Sequence, residues 1–142
     1  MSKIAIVYWS GTGNTESMAN AIADGVHTAD GEAVLMGPGG FSGQFGDYSA
    51  VAFGCPAMGS EVLEEAEFEP MFEAVEGALS GKKIALFGSY GWGDGQWMRD
   101  WCDRCRSAGA DLYDEEGLIL NETPDEAGLA SCKELGESLA KW

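Results

Sequence analysis

Apolar runs and helical stripes alternate along this chain from end to end. Residues 3–9, Lys-Ile-Ala-Ile-Val-Tyr-Trp, are almost continuously apolar, the pattern of a strand buried on both faces. Residues 14–27 place Met18, Ala19, Ile22, Ala23 and Val26 at helical spacing. Short apolar runs at 33–36 and 51–55 predict a second and a third strand. Phe68, Met71, Phe72, Val75 and Leu79 mark one face of a second helix over 68–79. A fourth strand is expected at 84–87, a third helix at 96–108 and a fifth strand at 118–120, with the polar stretch 113–117 interrupting it. A last helix spans 124–141, with Pro124 near its first turn.

Buried strands separated by helices predict an α/β fold: an open parallel sheet wrapped on both faces, as a single domain over residues 1–142. No linker, internal repeat or low-complexity segment breaks the pattern. The stretch 37–46 resists it, because it carries Gly37, Gly39, Gly40, Gly43 and Gly46. A regular helix there would cost about 1 kcal/mol per glycine relative to alanine. A loop or one irregular turn is expected in place of a crossover helix.

Composition changes this picture in three ways. The chain has 142 residues, enough for one self-sufficient core, and its 21 glycines are about twice the usual share. Tight turns and close backbone approaches are therefore expected. Eight Lys and Arg stand against 24 Asp and Glu, a net charge of −16. Such a surface repels nucleic acid and anionic membranes and is steered toward basic partners. The apolar run at the N-terminus is too short to span a membrane and has no cleavage signal, and no longer run follows, so a soluble cytoplasmic protein is expected. Cys55, Cys102, Cys105 and Cys132 are too few for a disulfide scaffold and read as thiols in a reducing compartment.

In open parallel sheets, ligands bind beyond the carboxyl ends of the strands. Three unusual loops occupy such places. Ser10-Gly11-Thr12-Gly13-Asn14-Thr15 follows the first strand and opens a helix, where hydroxyls and free N–H groups form an anion cradle. It is not a Walker loop, since Asn14-Thr15-Glu16 stands where Gly-Lys-Ser/Thr is needed. Nor is it a dinucleotide fingerprint, since Glu16 occupies the third glycine position. A phosphate site without a lysine remains. Pro56-Ala57-Met58-Gly59-Ser60-Glu61 follows the third strand, and Gly88-Ser89-Tyr90-Gly91-Trp92-Gly93-Asp94-Gly95 follows the fourth. Trp92 between glycines suits stacking on a flat ligand, and Met58 is placed to cover the opposite face.

The run Ile6-Val7-Tyr8-Trp9 leading into Ser10–Thr15 resembles the phosphate loop of short-chain, clostridial-type flavodoxins. The segments 55–61 and 86–95 resemble their two flavin-flanking loops, and the resemblance spans essentially the whole chain. It implies a flavodoxin-like doubly wound five-stranded sheet of order 2-1-3-4-5 and the cofactor FMN. It also implies low-potential one-electron transfer, cycling mainly between neutral semiquinone and anionic hydroquinone, with no substrate chemistry of its own. By resemblance, Ser10, Gly11, Thr12, Gly13, Asn14 and Thr15 hold the phosphate, and Met58 and Trp92 sandwich the isoalloxazine ring. Glu61 accepts the flavin N3–H. Pro56 and Ala57 line the second loop. Tyr90, Gly91, Trp92 and Gly93 line the third and the pyrimidine edge, and Ser89 and Asn121 contact the ribityl chain. Gly59 turns its peptide on one-electron reduction so that its carbonyl accepts a hydrogen bond from flavin N5–H. Glu61, Glu64, Glu65 and Asp94 are the acids expected to disfavour the second reduction. Two departures stand out. The 37–46 stretch replaces a helix usual in the family, and Pro56 removes a hydroxyl that some relatives have as serine.

The resemblance also implies partners: basic reductases and electron acceptors, in a ferredoxin-like role, met by a monomer. The rival on the same fold is an FMN-dependent NAD(P)H or quinone reductase. A phospho-accepting receiver domain is rejected, because Tyr8-Trp9-Ser10 and Cys55-Pro56 stand where its acids belong. Trp101-Cys102-Asp103-Arg104-Cys105 mimics a thioredoxin motif, but that motif belongs at a helix start, and this helix begins near Gln96. No metal site is expected from these cysteines. His27, the only histidine, sits where it aids a helix dipole.

Overall fold

A computed structural model describes residues 2–59, 62–91 and 93–142. Strands β1 (Lys3–Tyr8), β2 (Glu32–Met36), β3 (Ala50–Gly54), β4 (Lys83–Tyr90), β5 (Asp111–Leu112) and β6 (Leu118–Asn121) form one sheet. Helices α1 (Asn14–Thr28), α2 (Phe68–Glu76), α3 (Gln96–Ser107) and α4 (Glu126–Lys141) join them. All pairings are parallel, in the order β2-β1-β3-β4-β5, with β6 also on β4. The expected doubly wound sheet of order 2-1-3-4-5 is present.

Period-two alternation sends each strand's side chains to two cores. Ala5, Val7, Val51 and Phe53 face α2 and α3, while Ile4, Ile6, Ala50 and Ala52 face α1 and α4. On the first side, Trp101 stands at right angles to Phe68 and Phe72. Arg104 crosses from α3 to Glu69 and Glu76 of α2 at 2.7 and 2.9 Å and lies over the Phe72 ring. On the second side, α1 and α4 touch backbone to backbone through Gly25 and Gly136.

Four differences from the sequence reading have physical causes. The fifth strand is split, because Asp114 and Glu115 both take the left-handed conformation between β5 and β6, and each half adds to β4 separately. Strand β4 runs on to Tyr90, so Gly88, Ser89 and Tyr90 are strand and not loop, paired with Ile119, Leu120 and Asn121. Helix α2 stops at Glu76, before a glycine. Helix α4 begins at Glu126, where Asp125 accepts the Gly128 N–H at 2.7 Å, which leaves Pro124 ahead of the helix. The glycine-rich stretch forms two single turns, Pro38–Gly40 and Phe45–Asp47, anchored by Phe41 and Phe45 packed edge-on against Phe53.

Candidate functional site

The loop after β1 ends at Gly13, which takes φ 96° and so turns the chain into α1. A side chain is strained there, which is the reason for glycine. The Ser10 hydroxyl accepts the N–H groups of Gly13 and Glu16 at 3.1 and 3.2 Å. The N–H groups of Gly11, Thr12, Asn14 and Thr15 have no acceptor among the described residues. Four such donors at a helix N-terminus attract an anion by dipole alone. Trp9 roofs the turn: a Cβ on Gly11 would stand 3.0 Å from its ring. Tyr8 donates to Glu16 at 3.4 Å, and burial together with that carboxylate raises its pKa.

Three further segments converge beside this cradle. The buried hydroxyls of Thr15 and Ser89 lie 3.0 Å apart and join the head of α1 to the end of β4. One hydrogen bond between two hydroxyls leaves a proton over for a ligand. The Ser89 carbonyl accepts the Ala57 N–H at 3.0 Å, which brings in the loop after β3. The Tyr90 carbonyl accepts the Asn121 side-chain amide at 3.2 Å and the Glu122 N–H at 2.6 Å, which brings in the end of β6. Ser10–Thr15, Pro56–Gly59, Ser89, Tyr90 and Asn121 are thus gathered at the carboxyl edge of the sheet. Gly91 and Gly93 lie just beyond β4. Glu61 and Trp92 lie outside the described residues. Among the described residues nothing stands near a Cβ placed on Gly13, Gly59 or Gly91, as the close approach of a flat ligand requires.

The acids behave differently from one another. Asp94 pairs with Arg99 at 2.9 Å, which offsets its charge, and Glu65 is exposed. Glu64 is 6% exposed, and its carboxylate accepts the N–H groups of Ala66, Glu67 and Phe68 at 2.8, 2.8 and 2.9 Å. It caps α2 from outside the helix. Burial works to raise its pKa, but these three donors outweigh it and hold the carboxyl below the usual range. A carboxylate lowered in this way stabilises the fold above its unfolded value, about 4.3. That contribution is lost as pH falls through the lower folded value. Acid unfolding is therefore expected to be steeper in the natural protein than in Glu64→Gln. Equal slopes on acid titration would show that the cap is not ionised.

Sequence reasoning missed Cys55 and Trp97. The Cys55 thiol, fully buried, accepts the Glu64 N–H at 3.3 Å, and its carbonyl accepts Trp97 Nε1–H at 3.2 Å. Burial pushes this thiol up to about 12, so it is inert at neutral pH. Only the Trp97 position, on the inner face of a helix after the third loop, was a signal. Cys102 and Cys105 are free thiols on the buried face of α3, and burial pushes Cys105 up to about 12. Their surroundings do not suit a redox dithiol.

Comparison with known proteins agrees with this geometry. A family profile described as Flavodoxin matches residues 6–136. The chain is 46% identical over 136 residues to a flavodoxin of Clostridium beijerinckii, covering 95% of this chain and 97% of the relative. It is 47% identical over 140 residues to one of Megasphaera elsdenii, covering 97% and 98%. The solution structure of two-electron reduced Megasphaera elsdenii flavodoxin superposes with a TM-score of 0.86 at 44% identity, covering 98% of this chain and 99% of that one.

Proposed function

The chain belongs to the flavodoxin family, and from that premise we propose how its site performs electron transfer. The relatives that match along their whole length are flavodoxins, FMN-binding electron carriers, which favours a carrier over a reductase. FMN supplies the redox chemistry, accepting electrons one or two at a time. The residues present fit it: four unspent N–H donors and the hydroxyls of Ser10 and Thr15 suit a phosphate, and the open glycines suit a ring. The unspent donors at the head of α1 are the observation that carries this reading.

In this reading Ser10, Gly11, Thr12, Gly13, Asn14 and Thr15 hold the phosphate through dipoles alone. Ser89 and Asn121 orient the ribityl chain. Met58 and Trp92 cover the two faces of the ring, and Glu61 meets its N3–H. Pro56, Ala57, Tyr90, Gly91 and Gly93 line its edges. Gly59, which is exposed, would offer its carbonyl to the flavin N5–H of the singly reduced cofactor. That bond favours stopping after one electron. The acidic surface disfavours the last one. A carboxylate roughly 10 Å away at an effective dielectric of about 20 costs about 1.7 kcal/mol. At about 59 mV per 1.4 kcal/mol for one electron, that is roughly 70 mV. The carrier therefore works at low potential, between its half-reduced and fully reduced forms.

The net charge of −16 steers it toward basic redox partners, which a monomer meets with the flavin edge. Four buried free thiols suit the reducing cytoplasm. Among the described residues no helix is long and apolar enough to cross a membrane.

Stepwise anaerobic reduction tests the proposal. The purified protein is expected to be yellow, to turn blue with the first electron and to bleach with the second. Passage from yellow to colourless without blue would refute the one-electron reading. A colourless protein that takes up no added FMN would refute the site.

A further inference from the structure

The loop between β3 and α2 is tied at both feet and open at its tip. At the entry foot, Cys55 donates its N–H to the Phe87 carbonyl at 3.1 Å, and Ala57 donates to Ser89 at 3.0 Å. The Cys55 carbonyl is held by Trp97. At the exit foot, Leu63 and Glu64 are buried, and the Glu64 carboxylate is clamped by the N–H groups of Ala66, Glu67 and Phe68 at the entry to α2. One bond crosses between the feet: the Glu64 N–H donates to Cys55 Sγ at 3.3 Å. Nearer the tip, the Met58 N–H donates to the Val62 carbonyl at 3.0 Å. Gly59 at the tip is exposed, with open space around it. Gly59 is thus an exposed glycine between two tied feet.

We propose that Cys55 and Glu64 are positioning residues for electron transfer: the bond between them and the carboxylate clamp hold the feet of the loop so that the rearrangement accompanying the first electron is confined to Gly59. This deepens the proposed function and rests on its reading of Gly59. Tied feet preorganise the tip. On the proposed reading of Gly59, the tip would bond the ring edge only once the first electron has arrived. A loop loosened at its feet gains disorder mainly in the state without that bond, so making the bond then costs more ordering. Loosening therefore weakens the first reduction. It leaves the second nearly unchanged, because the tip bond is present before and after it. Removing the Glu64 charge has a different signature. It eases the second reduction, in which negative charge accumulates. The two one-electron steps thus separate positioning from charge, and neither is moved by a role confined to folding.

The test uses the FMN-loaded protein and three variants, each titrated anaerobically against reference dyes to give both one-electron midpoint potentials. Cys55→Ala is expected to lower the equilibrium constant of the first reduction about tenfold, which is about 59 mV, with the second step unmoved. Cys55→Ser, whose hydroxyl again accepts the Glu64 N–H, is expected to restore the first step. Glu64→Gln is expected to lower the first step and raise the second, and it carries the prediction if Cys55→Ala does not accumulate folded. An unchanged first step in Cys55→Ala with lowered thermal stability would overturn the proposal, as would equal shifts in Cys55→Ala and Cys55→Ser. Natural protein that takes both electrons in one step would instead overturn the reading on which the proposal rests.

Discussion

Gly136→Ala is expected to lower the melting temperature by about 10 °C while leaving the cofactor loops in place. A Cβ at Gly136 would stand 1.9 Å from the Ile22 carbonyl oxygen and 2.9 Å from the Val26 nitrogen. The same construction at Gly25 meets the Lys133 carbonyl oxygen at 1.9 Å and the Glu137 nitrogen at 3.0 Å. The clash is reciprocal, and every atom in it is helix backbone. No rotamer change relieves it, so α1 and α4 must move apart and open the core of Ile22, Val26, Leu135 and Leu139 between them. Overpacking of this kind costs about 3 kcal/mol. For a domain of this size, about 3 °C is lost per kcal/mol. Gly25→Ala should behave alike. Gly77→Ala is the control, since a Cβ there meets nothing and the backbone is already helical. It should be neutral or slightly stabilising. Thermal melts of the three variants decide the matter. A melting point for Gly136→Ala close to that of the natural protein would show that the helices do not meet at their backbones.

Gly88→Ala is expected to weaken FMN binding about 100-fold, about 2.7 kcal/mol. Gly88 lies in β4, where the loops after β3 and β4 meet. A Cβ there would stand 2.2 Å from the Cys55 carbonyl oxygen and 3.1 Å from the Trp97 ring. That carbonyl already holds Trp97 Nε1–H, so the methyl group breaks into an occupied bond. Cys55 is displaced, and the loop after β3 is carried away from Ser89, to which it is tied through Ala57. Titrating FMN into the apoprotein by quenching of its fluorescence measures the loss. The stabilisation that excess FMN confers on melting should fall by the same amount, because a ligand stabilises only as far as it prefers the folded chain. Unaltered affinity with a lowered apoprotein melting point would mean that the junction relaxes without moving the loop.

These two glycines show where reading the chain as a string stops. Alternating apolar runs and helical stripes were enough for the parallel doubly wound sheet, because both periodicities are local and each strand advertises burial on two faces. The loop of unspent N–H groups was legible for the same reason. A loop of hydroxyls and glycines between a strand and a helix has one place to go in such a sheet, and Ser10 to Thr15 go there. The irregular path of residues 37–46 followed from their glycines, though not its anchorage by Phe41 and Phe45. Gly25 and Gly136, by contrast, read only as weak points in helices until each is seen against the other's backbone. Glu64 was singled out in the sequence for its charge beside the loops, and not for its burial or its cap on α2. Its burial depends on the chain folding back over residues 66–68. Strand β4 read as ending at Phe87, because its last three pairings come from residues 119–121, some thirty positions away. What is set by neighbours in sequence, the sequence by itself determined: the elements, the sheet and the cradle. What is set by neighbours in space only the tertiary structure decided: the glycine crossing, the split fifth strand, and the Cys55–Glu64 bond that ties the loop after β3 at its feet.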